Sequence, residues 1–151
     1  PCGGYASISF AYEAAEELRT IDKEIHIYHL SDLDADGAYS SVCLERELRE
    51  HGAEFQFHRL ALRPDQIVRY GLQEALRPQK RTSTRYSGWV EQYGAAQGAC
   101  ELDALNPRDL RTMVHNAIAQ HIDGYEWKRL QDIERVERES LAMIVEHGFQ
   151  G

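Results

Sequence analysis

Asp32, Asp34 and Asp36 stand at alternate positions, and Gly37 closes the group. Carboxylates this close repel one another unless a counter-charge sits among them. Their hard oxygens suit Mg²⁺, Mn²⁺ or Ca²⁺. The run Ile25-His26-Ile27-Tyr28-His29-Leu30 comes just before, and its β-branched and aromatic residues read as a buried strand. The acids therefore hang at the strand's carboxyl end, on the turn into the next element. That is where open α/β sheets bind ligands.

The neighbouring elements must hold this turn. Phe10, Ala14 and Leu18 recur at helical spacing over residues 8–19, with Ser7 or Ser9 available as a cap. After the acids, Val42, Leu44 and Leu48 line one side of a helix over 38–51, and Gly52 stops it. Residues 55–60, Phe-Gln-Phe-His-Arg-Leu, alternate as a second strand. Gly3-Gly4-Tyr5 fits the end of an earlier strand. Helix and strand in alternation predict a parallel sheet with right-handed crossovers. Pro64 opens a short helix to Tyr70.

Residues 72–98 have little periodicity and read as a long loop. Arg77, Lys80, Arg81 and Arg85 lie there beside Tyr86, Trp89 and Tyr93. The loop carrying these four basic residues, Lys80, Arg81 and Arg85 above all, is the candidate for phosphate contact, and Tyr86 and Trp89 suit stacking on bases. A solvated charged loop is the plainer reading. Asn106 caps and Pro107 opens a helix over 107–122, striped by Leu110, Met113, Val114, Ala117, Ile118 and Ile122. A last helix runs from about 126 to 146, with Leu130, Ile133, Leu141 and Ile144 expected to be buried.

The composition bounds the function. A chain of 151 residues supports a domain with a real core. Hydrophobic content of 42% and charged content of 28% are ordinary for a globular protein. No apolar stretch spans a bilayer and no signal peptide opens the chain, so a cytoplasmic protein without a membrane partner is expected. Cys2, Cys43 and Cys100 form neither a disulfide framework nor a zinc knuckle. Cys43 and Cys100 read as small core residues. The net charge of −8 argues against gripping nucleic acid by bulk charge alone. Bound cations neutralise an acidic site locally, so a metal-dependent nuclease stays open. Pro1 rather than Met stands first: either an initiator was removed or the chain is a piece of a longer one.

Several families share the acidic spacing. An EF-hand loop needs glutamate at its twelfth position, where Cys43 stands, and a helix rather than a strand in front. The DHH phosphoesterases open with a similar aspartate cluster after a strand and stand as a further alternative, although no Asp-His pair of their Asp-His-His signature occurs here. A plain cap and tight turn also fits these residues.

The stretch Asp32-x-Asp34 with Gly37, at a strand end and before a helix, resembles the second motif of Toprim domains. It is similar to the Asp-x-Asp-Pro-Ser-Gly segment of bacterial Toprim-like relatives of the topoisomerase VI A subunit. Gly4-Tyr5-Ala6-Ser7, residues 59–67 and residues 101–107 resemble segments of the same proteins in the same order. The resemblance covers about residues 3–123 and implies a Rossmann-like α/β fold of Toprim type over 1–123. A helical carboxyl-terminal part over 124–151 follows. It also implies Mg²⁺ or Mn²⁺ held by Asp32 and Asp34, with Asp36 as auxiliary, and action on DNA or RNA phosphodiesters. Ala35-Asp36 replaces the family's Pro-Ser. The family's general acid/base glutamate belongs on a strand before Gly3-Gly4-Tyr5, and Glu13, Glu16 and Glu17 on the first helix do not match it. A non-catalytic binding or assembly module is therefore the second expectation. A missing strand leaves a sheet edge for a second copy to cover, which predicts a homo-oligomer.

His29 precedes the turn by three residues, and Glu101 and Asp103 sit before another helix. All three are candidates to support the acids, or else ordinary strand and helix-start residues. His115 and His121 are six apart, not a spacing that puts two ligands on one helix face.

Overall fold

The computed structural model describes residues 8–147, with side chains described from 9 to 145. Cys2, Gly3-Gly4-Tyr5 and Ser7, with the expectations placed on them, lie outside the described residues. The chain divides into two compact units, Pro1–Arg111 and Thr112–Gly151, a division that falls ahead of the sequence-based boundary at residue 124.

The first unit is mixed α/β. Helix α1 (Ile8–Arg19) buries Ala11 and Ala15 completely, while Phe10 on the adjacent position stays 46% exposed. Small residues on the inner face let α1 lie close against α2 (Ala35–Glu50). Strands β1 (His26–Leu30) and β2 (Gln56–Ala61) pair in parallel, from His26 opposite Gln56 to Leu30 opposite Ala61, with an irregularity after His29. Among the described residues the sheet has these two strands, joined through α2 as a βαβ unit.

Alternation puts Ile25 and Ile27 on one face of the sheet with Phe55 and Phe57. There they pack with Ala15, Leu48 and Ala53. Leu48 and Phe55 are 3% and 8% exposed, and each contributes roughly 2 kcal/mol of apolar burial. The buried stripe of α2 is Ala35, Ala38, Ser41, Cys43 and Leu48. Val42, expected on that side, is 55% exposed, because a stripe through 41 and 48 turns position 42 outward.

Pro64 opens α3 (Pro64–Arg69) as expected. The segment 72–98 is more ordered than its sequence predicts. It contains a 3₁₀ turn at Gln73–Ala75 and a helix, α4 (Tyr86–Tyr93), ended by Gly94 at φ 83°. Ser87 and Gly88 dilute the helical pattern, leaving Trp89 and Tyr93 to carry it. Their rings pack with centroids 4.5 Å apart. A second 3₁₀ turn, Leu102–Ala104, precedes α5 (Pro107–Ala119). There the Asn106 side chain accepts the Arg108 N–H at 2.9 Å.

In the second unit, Asp123 caps α6 (Gly124–His147), its Oδ1 accepting the N–H groups of Tyr125 and Glu126 at 2.8 and 3.1 Å. The burial expected on this helix is overturned. Leu130, Ile133, Leu141 and Ile144 are 57%, 45%, 62% and 63% exposed. Periodicity marks an apolar face but does not supply what covers it. Among the described residues no helix is long and apolar enough to cross a membrane.

Candidate functional site

Gly37 builds the turn between β1 and α2. A Cβ there would lie 2.3 Å from the Asp32 carbonyl oxygen, inside any tolerable contact. Only glycine lets the helix start this close to the strand end. Asp34 is the helix cap, and its Oδ1 accepts the Gly37 N–H at 2.6 Å. The helix thus starts at Ala35, three residues ahead of the expected position. Three hydroxyls, from Ser31, Ser40 and Ser41, donate to the Gly37 carbonyl at 3.2, 2.9 and 3.1 Å.

Asp32 Oδ1 accepts the Leu102 N–H at 2.8 Å. Among the described residues no donor reaches the Oδ2 of Asp32 or Asp34. Each carboxylate is held by one oxygen and open at the other. Asp36, exposed on the first turn of α2, accepts a hydrogen bond from Ser83 Oγ at 3.2 Å.

The protein's own counter-charge is Arg59 on β2. Its Nη2 donates to the Asp32 carbonyl at 2.7 Å and its Nη1 to the Tyr93 hydroxyl at 3.3 Å. Burial pushes this guanidinium below its usual value, and Tyr93 and then Asp34 push it back up. Its Nε is buried without a hydrogen-bond partner among the described residues. The sequence carried a signal for Arg59: it continues the inward alternation of Phe55 and Phe57, and a charge on an apolar face needs a polar purpose.

Two backbone pairings raise the far wall. Leu33 and Cys100 exchange N–H···O bonds of 2.8 and 2.9 Å, and Arg77 and Ala99 exchange bonds of 2.8 and 2.7 Å. The segment 99–101 is thereby fixed between the acidic turn and Arg77. The result is a cleft of 240 Å³ whose lining includes Asp34, Asp36, Arg77, Lys80, Ser83 and Glu101. Cys100 also lines it. Burial, followed by the negative charge of Glu101 and of Asp32, pushes its thiol up and keeps it protonated. Cys43 and Cys100 are both buried, as expected.

The sequence candidates divide here. Asp34, Asp36, Lys80 and Glu101 meet at one cleft, and Asp32 anchors its floor through Leu102. Arg81 is exposed and outside the lining. Arg85 lies over the Tyr39 ring at 3.7 Å, a cation–π contact on α2. Asp103 falls within the 3₁₀ turn behind Glu101. His29 meets Ser41 Oγ at 2.9 Å and reaches the turn only through that serine. Burial and then Arg59 hold its imidazole below the ordinary value. Trp89, expected to stack on bases, is 2% exposed and belongs to the core. A ring able to bury this much apolar area is worth more inside than out. Arg77, from the loop read for phosphate contact, also lines the cleft, and Ser83 completes it with only its place in a hydroxyl-rich segment to point to it.

Among the described residues no three His, Cys, Asp or Glu side chains are grouped to hold a metal ion. Mg²⁺ does not require such a cage. It keeps several waters and is held by one or two carboxylates together with substrate phosphates. Asp34 lines the cleft, and Asp32 lies outside its lining. No family model, curated protein or solved structure matches this chain.

Proposed function

We propose that this protein holds Mg²⁺ or Mn²⁺ through Asp32 and Asp34 and acts on the phosphodiesters of DNA or RNA, in the manner of Toprim proteins. The observation that carries the reading is the pairing of open acids with bases. Two carboxylates at a strand's carboxyl end each keep one oxygen without a donor, and Lys80 and Arg77 share a cleft with one of them. A cation there steadies charge developing on a phosphate. Lys80 and Arg77 take up the charge of the flanking backbone. Ser83 steadies Asp36. Glu101 reaches the cleft from outside the turn, and we assign it the acid/base role that the family gives to a glutamate on an earlier strand.

Calorimetry on the full chain tests this reading. Saturable Mg²⁺ or Mn²⁺ binding is expected, and Asp32→Asn with Asp34→Asn should abolish it. Asparagine keeps the cap, so the fold survives. No binding by the parent chain sinks the assignment. If binding is found, metal-dependent cleavage of DNA or RNA that Glu101→Gln abolishes completes it.

A second reading, a non-catalytic module of the same fold, is favoured by the position of Asp32 outside the cleft that Asp34 shares with Lys80 and Arg77. It expects an intact fold that neither binds metal nor cleaves.

A further inference from the structure

Along α6, Leu130, Ile133, Leu141 and Ile144 stand between 45% and 63% exposed. With Glu137 they fall at spacings of three, four, four and three residues. At about 100° per residue these five positions form one stripe. The spacing reads the same in both directions about Glu137. A two-fold axis through that residue pairs identical antiparallel helices with apolar on apolar throughout. Leu130 meets Ile144 of the second copy, and Ile133 meets Leu141. A parallel pair needs no such mirror, and it sets like ends of the two helix dipoles side by side, which is less favourable. A self-complementary patch is what a closed dimer requires.

From this pattern we infer that α6 is a self-association surface whose occupant is α6 of a second copy, packed antiparallel. The charged residues beside the stripe permit it. Arg129 pairs with Glu126 and Arg138 with Glu134 within the helix, while Arg135, paired with Asp132 and Glu139, lies on the opposite face. Two like helices therefore approach without a block of unpaired charge. Glu137 is the exception. It meets its own copy at the centre, which weakens the pair and fixes its register, as a polar residue does in a coiled-coil seam.

Sedimentation of the full chain across the micromolar range tests this. A concentration-dependent dimer is expected. Ile133→Glu with Leu141→Glu should raise its midpoint concentration by about tenfold or more, and Glu137→Leu should lower it by about tenfold. These positions are exposed, so circular dichroism should show unchanged folding. Cross-linking reads the direction. Glu137→Cys should form a disulfide dimer beyond the level of the parent chain. Leu130→Cys should not, since the two copies of that residue lie about 21 Å apart along an antiparallel pair. Efficient cross-linking of Leu130→Cys overturns the proposal. So does a parent chain that, like Glu137→Leu, stays monomeric throughout, which would leave the apolar face to another occupant.

Discussion

Around Asp32–Gly37 the protein supplies its own partners. A backbone N–H holds each of two carboxylates, a guanidinium holds a carbonyl, and three hydroxyls converge on one more. Along α6 the partners are local ion pairs on the surface, and the large apolar side chains face outward. Both regions were conspicuous in sequence, one by its acids and the other by its stripe. The difference lies in how far each is finished by the chain itself. The turn is over-determined and, among the described residues, leaves one oxygen of Asp32 and one of Asp34 open. The helix leaves its whole hydrophobic stripe open.

Substitutions at matched residues test this contrast. The largest effect is expected at glycine. Gly37→Ala forces a Cβ to 2.3 Å from the Asp32 carbonyl and should cost about 3 kcal/mol in urea unfolding. Gly124→Ala meets nothing within 4 Å and should be neutral or stabilise by up to about 1 kcal/mol. Equal effects would erase the distinction. Next comes arginine. Arg59→Met removes the hydrogen bond to Asp32 and the charge facing Asp34, and should cost about 2 kcal/mol. Arg135→Met breaks exposed ion pairs and should change stability by about 0.5 kcal/mol or less. At the cap, Asp34→Ala should cost about 1 kcal/mol in thermal unfolding and Asp34→Asn almost nothing.

The smallest effect is in pH dependence. Burial depresses the His29 imidazole below 6.5, so the unfolded chain takes up the proton first. The stability this residue confers is complete above pH 6.5 and lost as the pH falls toward its folded value. His29→Gln should flatten that acid limb, and an unchanged limb would place the titrating group elsewhere.

Much of the turn was legible because its causes are local. The strand before it, the Asp34 cap and the glycine all follow from residues within a few positions of one another. The parallel pairing of β1 and β2 followed from alternation. The cleft was not legible, because Cys100 and Arg77 are brought to the turn by pairings that no short pattern records. Helix α4 was hidden by Gly88 and Ser87, and a Trp that looked like a stacking platform proved to be the anchor of that helix. On α6 and at Val42 the periodic signal located an apolar residue without naming its cover.

The two bonds that hold the acids differ in reach, and this sets an order of assembly. The Asp34 cap closes across 3 residues, whereas the Leu102–Asp32 bond closes across 70. Loop-closure entropy makes the second costlier by about 3 kcal/mol at a comparable contact strength. The acidic turn can therefore form while the chain is still searching, and the cleft wall arrives last. A single cut in the exposed basic segment would leave that wall held only by its bonds to Asp32 and Leu33, while the turn keeps its local cap.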